Sequence, residues 1–368
     1  MAAVSPAPSP SVPPARAIMA EEGPRGAEAA APLRILRSSI NQDLGGASFT
    51  FVQLTDIHIG EGANDYGTPG YDDAPPDGDA GGPARTLRAA VDWINANKDA
   101  EHIAFVMVTG DLTASAERSE FLKAKEILDA LSVPYVPLIG NHDIWPYAMT
   151  SKTAYDETPA PVGDRTFDQV FAPTFEKLAA VLPRWDNGTR LAPVQEKQGG
   201  AQSTLENFAF SYRGYRLLCL DFNSRTPASF DPNPLAAVHF RPPGVIPEAA
   251  FHDVPGATLP WLRSQLADNP LQGGRNLLLF AHHPLSKLPL DLVEMSFSVR
   301  GYERLAGSLR DHKGAVALWD AGHVHRNAEY EVKTLGLRDT GCKGIETGAT
   351  KDGNLRLITV WGASPDGR

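Results

Sequence analysis

Five short segments of this chain carry side chains that bind metal ions, and each follows an apolar run typical of a buried strand. The segments supply carboxylate, amide and imidazole groups, and they are Thr55-Asp56-Ile57-His58, Thr109-Gly110-Asp111, Gly140-Asn141-His142-Asp143, Ala281-His282-His283-Pro284 and Gly322-His323-Val324-His325. In an open α/β sheet, ligands collect at the carboxyl ends of the strands. One fold can therefore bring all five segments to one edge, and the sequence predicts a single metal site.

The spacing within two segments favours coordination of one ion or of two neighbouring ions. Asp56 and His58 are two residues apart, and so are His323 and His325. In extended backbone, residues with this spacing point to the same side. A carboxylate can also bridge two cations through its two oxygens. The mixed nitrogen and oxygen donors favour Mn, Fe or Zn and disfavour a structural thiolate site.

Each segment taken alone also has a purely structural interpretation. Asp56 could cap a turn, Gly110-Asp111 is a common turn at the end of a strand, and Gly140-Asn141 suits a left-handed turn. The joint occurrence of five such segments, each after a strand, favours a shared metal site instead.

The composition narrows the classes of protein. The net charge of −10 argues against sequence-independent binding to a nucleic-acid backbone, which needs a basic face, and so disfavours a nuclease. No apolar run reaches the ~18 residues of a membrane span. The two cysteines, Cys219 and Cys342, do not define a disulfide framework. These features argue against a nucleic-acid partner and against a membrane span.

The N-terminal region differs in composition from the rest. Residues 1–31 are rich in Ala and Pro and lack the continuous apolar stretch of a secretory signal. We therefore expect residues 1–47 to be a disordered tail and lead-in, followed by one domain over residues 48–362. On this composition we expect a cytoplasmic location.

The first part of the domain alternates between strand and helix patterns. Strands are predicted at residues 48–54, 103–108 and 135–139, and amphipathic helices at 84–95 and 118–131. The order β-α-β-α-β implies parallel pairing with right-handed crossovers.

The pattern breaks at residues 144–213, which we interpret as a cap or loop insertion over the site. This segment shows one clear helical piece, near residues 174–182, and Trp145 and Tyr147 at its start could either line a substrate pocket or pack the cap onto the sheet. The remainder predicts mainly strands, at residues 215–221, 276–281, 315–320, 328–333 and 355–361, with short helices at 258–267 and 301–309. Several strands with few helices suggest a second sheet packed on the first.

Taken together, the five segments resemble the D-x-H, G-D, G-N-H-[DE], H and G-H-x-H blocks of the binuclear metallophosphoesterases, the calcineurin-like superfamily. The resemblance covers residues 50–326. It implies an α/β fold, a four-layer α/β/β/α sandwich of two packed mixed sheets flanked by helices.

Within the superfamily, one stretch resembles the branch of cyclic-nucleotide and glycerophosphodiester phosphodiesterases. This stretch runs from Thr109 to Phe121 and is similar to that branch's G-D-L-T-D-x-G-x-x-x-E-[FY], from which Ala114 and Ala116 depart. The branch of protein Ser/Thr phosphatases fits less well, because Ile139 and Ala114 stand where it has Arg and Asp.

The resemblance implies two divalent or trivalent metal ions, Mn, Fe or Zn, and assigns ligand roles by motif position. The first ion would be held by Asp56, His58 and His325, the second by Asn141, His282 and His323, and both by a bridging Asp111. His282 rather than His283 is the implied ligand, because the family's fourth histidine stands two residues before the proline.

Two further residues have implied catalytic roles. His142 is not a ligand in this pattern and would stabilise developing charge or protonate the leaving oxygen. Asp143 would either orient His142 or cap the turn.

The implied reaction is hydrolysis of a small phosphoester by a metal-bound hydroxide that attacks phosphorus in line. A phosphodiesterase is favoured, and the alternatives are a phosphomonoesterase or nucleotide pyrophosphatase of the same superfamily. A non-catalytic scaffold with this fold is a remote alternative, since such proteins usually lose ligands and none is missing here.

Overall fold

Two mixed β-sheets form the centre of the molecule. The computed structural model describes residues 29–61, 81–144, 163–195, 202–225, 249–268, 274–285, 299–333 and 337–364. Trp145 and Tyr147 lie outside these residues, as do most of the predicted N-terminal tail and parts of the predicted cap, so those predictions stay predictions.

The first sheet has five strands in the order β1-β13-β2-β3-β4. They are β1 (Arg34–Ile40), β2 (Ala47–Leu54), β3 (Ile103–Thr109), β4 (Tyr135–Leu138) and β13 (Asn354–Ala363). Strands β2, β3 and β4 are mutually parallel, and β13 runs antiparallel to β2. The predicted parallel β-α-β-α-β unit is confirmed.

The second sheet has six strands in the order β11-β12-β10-β9-β8-β7. They are β7 (Phe208–Tyr212), β8 (Tyr215–Leu220), β9 (Leu277–Ala281), β10 (Val316–Ala321), β11 (Ala328–Glu331) and β12 (Lys343–Glu346). The four central strands are parallel, and the two edge strands are antiparallel to their neighbours. Strands β5 (Val194–Gln195) and β6 (Gln202–Ser203) form a separate short pair.

Helices cover the outer faces of both sheets. They are α1 (Gly81–Asn97), α2 (Arg118–Leu128), α3 (Gly163–Val181), α4 (Thr258–Ala267) and α5 (Val299–Leu309). Helix α2 lies between α1 and α3, whereas α4 and α5 contact each other beside the second sheet. Among the helices that the structure describes, none combines the length and the apolar character needed to cross a membrane.

An aromatic core joins the two sheets. Phe51 of β2 meets Phe280 of β9 edge to face, with ring centroids 5.6 Å apart, and Phe49 meets Tyr215 of β8 at 5.8 Å. These side chains are buried. The predicted four-layer α/β/β/α sandwich is confirmed.

Strand β1 was missed by the sequence analysis, which assigned residues 34–40 to the tail and lead-in. It pairs in parallel with β13, near the other end of the chain. Two of its polar residues form hydrogen bonds with the second sheet. Ser38 Oγ donates to Glu329 Oε1 at 2.6 Å, and Lys343 Nζ donates to the Ser39 carbonyl at 2.7 Å. The folded region therefore begins before residue 48.

Helix α3 begins eleven residues earlier than predicted, at Gly163 instead of residue 174. The helix contains Pro173, which removes a backbone donor and disguises the helical pattern. Phe167 and Phe171 pack against Phe121 of α2, with ring centroids 6.0 and 6.4 Å away. Helix α3 and strand β7 both lie within the predicted cap at residues 144–213. Because α3 packs on α2 and β7 belongs to the second sheet, this part of the predicted cap belongs to the sandwich.

Candidate metal centre

All five predicted segments meet at one edge of the sandwich. Three follow β2, β3 and β4 of the first sheet, and two follow β9 and β10 of the second sheet. Among the described residues, three groups of potential ligands form there, Asp56 with His58 and His325, His58 with Asp111 and His142, and Asp111 with His282 and His323. The relative position of the two sheets therefore determines the geometry of the site.

The first cluster contains Asp56, His58 and His325. The Nε2 atoms of the two histidines are 3.2 Å apart, and His325 Nε2 lies 3.2 Å from Asp56 Oδ1. Two imidazole nitrogens that face each other beside a carboxylate oxygen suit a cation that accepts a lone pair from each. This donor set fits Mn, Fe or Zn.

The second cluster contains Asn141, His282 and His323. His282 Nε2 lies 3.0 Å from Asn141 Oδ1, and His282 Nδ1 donates to the Thr109 carbonyl at 2.8 Å. This second bond fixes the ring and leaves Nε2 facing the cluster, as in metal-binding histidines. His323 Nε2 is buried and has no hydrogen-bond partner within the described part of the chain. An orphaned buried nitrogen of this kind fits a ligand to a cation.

Asp111 lies between the two clusters. Its Oδ2 atom is 3.1 Å from His282 Nε2 and 3.7 Å from His58 Nε2. The other oxygen, Oδ1, accepts a hydrogen bond from the His142 backbone N–H at 2.9 Å. One carboxylate oxygen thus faces both clusters, which is the position that a bridging ligand requires.

The backbone at these ligands is left-handed rather than extended, which corrects the geometry assumed from the sequence. The φ angles are 51° at Asp56, 50° at His58, 52° at Asp111, 70° at His323 and 50° at His325. Such angles are uncommon outside glycine, cost about 1–3 kcal/mol each and cluster at functional sites. The left-handed turns, rather than strand alternation, therefore aim the side chains of each pair at a common point.

Two glycines allow the segments to approach each other closely. A Cβ atom at Gly140 would collide with the backbone nitrogen and Oδ1 of Asp111, and one at Gly322 would collide with the Thr55 hydroxyl. The glycines of the G-N-H-D and G-H-V-H segments are therefore required by packing at the site.

Burial and mutual charges shift the pKa values of several candidate ligands. Burial raises the pKa of Asp111, but His282 and His142 outweigh it and hold the pKa well below its usual range. Burial lowers the pKa of His282, yet Asp111 raises it to about 9. Burial also lowers the pKa of His323 well below its usual range, and neighbouring histidines add to the effect. A cluster of this composition is suited to a bound cation, which leaves the histidines neutral.

His142 lies beside the first cluster. Its Nδ1 atom is 2.7 Å from the Ala114 carbonyl, and its ring is 4.6 Å from the His58 ring. Because a carbonyl only accepts, Nδ1 carries a proton and Nε2 remains for chemistry. His142 also forms a potential metal-binding group with His58 and Asp111, so geometry alone permits a ligand role as well.

Asp143 is fully buried and binds the surrounding backbone. Its carboxylate accepts hydrogen bonds from the N–H groups of Gly140, Leu112 and Thr113 at 2.8, 3.2 and 2.9 Å, and from the Thr113 hydroxyl at 2.8 Å. Burial raises the pKa of Asp143 to about 7. These bonds favour a role of Asp143 in capping the turn over a role in orienting His142.

Gln53 was not identified from the sequence. Its Nε2 atom donates to Thr109 Oγ1 at 3.0 Å and to the Ala321 carbonyl at 2.9 Å, and its Oε1 accepts from the Thr347 hydroxyl. It thereby connects the strands that precede three of the segments. The signal in the sequence was a polar amide side chain within the otherwise mainly apolar strand β2.

Comparison with known proteins agrees with this geometry. The model of the calcineurin-like phosphoesterase family matches residues 49–327. A probable cyclic nucleotide phosphodiesterase of Rhodopseudomonas palustris is 36% identical over 94 residues, a match that covers 25% of this chain and 29% of that relative. The chain therefore matches less than a third of the length of this curated relative.

Solved structures with a similar arrangement include two phosphatases. A dimetal phosphatase from Danio rerio has a TM-score of 0.48 at 15% identity, covering 83% of this chain and 88% of its own. A purple acid phosphatase from yellow lupin (Lupinus luteus) seeds has a TM-score of 0.40 at 15% identity, covering 88% and 46%.

The family match spans about three quarters of the chain and contains all five segments. The chain therefore belongs to the calcineurin-like phosphoesterase family of hydrolases.

Proposed function

We propose that this protein is a metal-dependent phosphodiesterase that hydrolyses a small phosphoester. The observation that carries the proposal is the position of Asp111 Oδ2, which faces a histidine of each cluster at 3.1 and 3.7 Å. A carboxylate shared by two ligand clusters would allow two cations to act together in the hydrolysis of a phosphoester.

Seven side chains would hold the two cations, with Mn, Fe or Zn as the metals that fit the donors. They are Asp56, His58 and His325 at the first ion, Asn141, His282 and His323 at the second, and Asp111 between them. When bound, such a pair of cations lowers the pKa of water and neutralises the charge of the phosphoryl group.

His142 would deliver a proton to the leaving oxygen through Nε2. The Ala114 carbonyl holds Nδ1–H and thus the plane of the ring, while Asp111 Oδ1 holds the backbone N–H of His142. Both bonds are fixed before substrate arrives, so the imidazole needs little reorganisation during the reaction.

The preference for a diester is supported by the likeness to the phosphodiesterase branch. Glu120 of that pattern is buried, and its carboxylate accepts from the backbone N–H groups of Ser115 and Glu117 at 3.0 and 3.3 Å. It also lies directly against Gly60, where a Cβ atom would collide with it. The likeness therefore concerns the architecture of the loops that carry Asp111 and His58. The name of the bacterial relative supports the same reaction class.

A phosphomonoesterase is the second candidate because a lysine lies near the first cluster. Lys351 Nζ pairs with Glu61 at 2.7 Å. Burial and His142 lower the pKa of His58 most, and the positive charge of Lys351 lowers it further. The positive charge of the Lys351 side chain would attract a dianionic monoester more strongly than a monoanionic diester.

The two candidates differ in the substrate that they favour. We expect kcat/KM for bis(p-nitrophenyl) phosphate to exceed that for p-nitrophenyl phosphate by at least about tenfold, or ~1.4 kcal/mol of barrier. The comparison uses protein reconstituted separately with Mn, Zn and Fe, so that the choice of metal does not decide it. A preference for the monoester in all three forms would refute the diesterase assignment and favour the second candidate.

A further inference from the structure

A buried polar side chain outside the candidate ligands contacts the loop that carries Asn141 and His142. Asn223 lies in the loop that follows β8, and its Nδ2 atom donates to the Ile139 carbonyl at 2.8 Å. Ile139 directly precedes the Gly140-Asn141-His142 turn. The bond therefore reaches the backbone two residues before a candidate ligand.

Asn223 is itself held from three directions. Its Nδ2 and backbone N–H both donate to Asp221 Oδ1, at 3.0 and 3.1 Å, and its carbonyl lies 2.8 Å from His252 Nε2. Because Nδ2 lies between two acceptors, the orientation of the amide is determined. Asn223 is 1% exposed, so these bonds do not compete with solvent.

The support beneath Asn223 is a buried ion pair. Arg225 Nη2 lies 2.5 Å from Asp221 Oδ2 and also donates to the Thr204 carbonyl at 2.9 Å, and the side chains of both Arg225 and Asp221 are completely buried. Removing two charges from water costs several kcal/mol per ion, so a buried pair is weak evidence for stability. The ion pair does hold the Asp221 carboxylate in place, and this carboxylate accepts the hydrogen bonds of Asn223.

The position of this bond in the sandwich gives it a role at the metal centre. The ligands come from both sheets, and hydrogen bonds between the sheets hold the ligand loops in place. His282 binds the carbonyl of Thr109, the last residue of β3, and Gln53 of β2 binds the carbonyl of Ala321, the last residue of β10. The bond from Asn223 does the same for the end of β4, the edge strand that leads to Asn141.

We propose that Asn223 is a positioning residue that sets the place of Asn141 Oδ1 in the second cluster and, through the same turn, the place of His142. The proposal rests on the proposed function only for its effect on turnover, since its effect on cation binding is measured without substrate. Partners that orient ligands typically contribute about 10–100-fold to metal affinity or activity.

The test compares Asn223→Leu with a matched variant, Asn41→Leu. Asn41 is also buried, and its Nδ2 atom likewise donates to two acceptors, Tyr215 Oη at 2.9 Å and the Arg275 carbonyl at 2.6 Å. Both substitutions keep the size of the side chain and remove a buried amide. They differ in that, within the described residues, the amide of Asn41 bonds neither to the five metal-binding segments nor to Asp221.

Zn²⁺ binding to metal-free protein is followed by calorimetric titration, with the melting temperature recorded for each variant. The variants His325→Ala and His282→Ala assign the two binding steps to the first and second cluster. We expect Asn223→Leu to weaken the step lost in His282→Ala by about 10–100-fold and to leave the other step within about threefold. Asn41→Leu should lower the melting temperature comparably and leave both steps unchanged.

Two outcomes would overturn the proposal. One is an unchanged second step in Asn223→Leu, and the other is an equal loss in Asn41→Leu, which would make the effect one of general stability. If Asn223→Leu does not fold, Asn223→Ser replaces it, because its hydroxyl is one bond shorter and does not reach Ile139. Failure of the diesterase proposal would show in the substrates of the wild-type protein and would leave this titration interpretable.

Discussion

Replacement of Asp111 by Asn is expected to reduce turnover by at least about 10³-fold, a barrier increase of ~4 kcal/mol. The Asp111 carboxylate is the group that faces both clusters, at 3.1 and 3.7 Å from their histidines. An amide is neutral and offers one acceptor oxygen, so it can neither balance two cations nor bridge them as a carboxylate does. The variant is assayed with bis(p-nitrophenyl) phosphate at saturating metal.

The fold should survive this change, because the amide preserves the shape and can still accept from the His142 N–H. Asp92→Asn, at an exposed position of α1, is the control for the chemistry of the substitution. Circular dichroism and metal content accompany the assay, and we expect fewer than two ions bound to Asp111→Asn. Retention of more than about a tenth of wild-type activity, a barrier change under ~1.4 kcal/mol, would show that Asp111 does not bridge.

The His142→Ala variant should lose activity for a different reason. We expect a rate decrease of about 10²–10⁴-fold, the usual contribution of a general acid, with two cations still bound. The decrease should become smaller for diesters with better leaving groups, because those leaving oxygens need less protonation. A series of aryl diesters with leaving groups of graded pKa measures this dependence directly.

The same variant separates the two roles that geometry allows His142. The residue lies near His58 and Asp111, in a group that could itself hold a cation. If the metal content of His142→Ala falls to one ion, His142 belongs to the ligand set. An equal rate decrease across the whole leaving-group series would likewise exclude proton donation as its role.

The convergence of the five segments could be predicted because it follows from local rules. Asp56, Asp111 and Asn141 end three parallel strands of one β-α-β-α-β unit, and such strands place their carboxyl ends at the same edge. The histidines after β9 and β10 follow the same rule in the second sheet. Residue types and strand ends together were sufficient to find the candidate site.

Features that depend on distant parts of the chain could not be predicted. The polar strand β1 is stabilised by pairing with β13 more than 300 residues later, with Ile40 opposite Val360. The left-handed φ of 50° at His58 is not encoded by a glycine but imposed by the surrounding loops. Hydrogen bonds such as those of Gln53 and Asn223 connect the two sheets, and no pattern within one segment indicates them.

The dependence of activity on the number of bound cations tests the central claim most directly. Metal-free protein is titrated with Mn²⁺, and bound metal and hydrolysis of bis(p-nitrophenyl) phosphate are measured on the same samples. A dinuclear diesterase predicts little turnover at one bound ion per chain and a steep rise as the second ion binds, with loss of activity on chelation. Full activity at one bound ion, or activity that survives removal of all metal, would contradict the account.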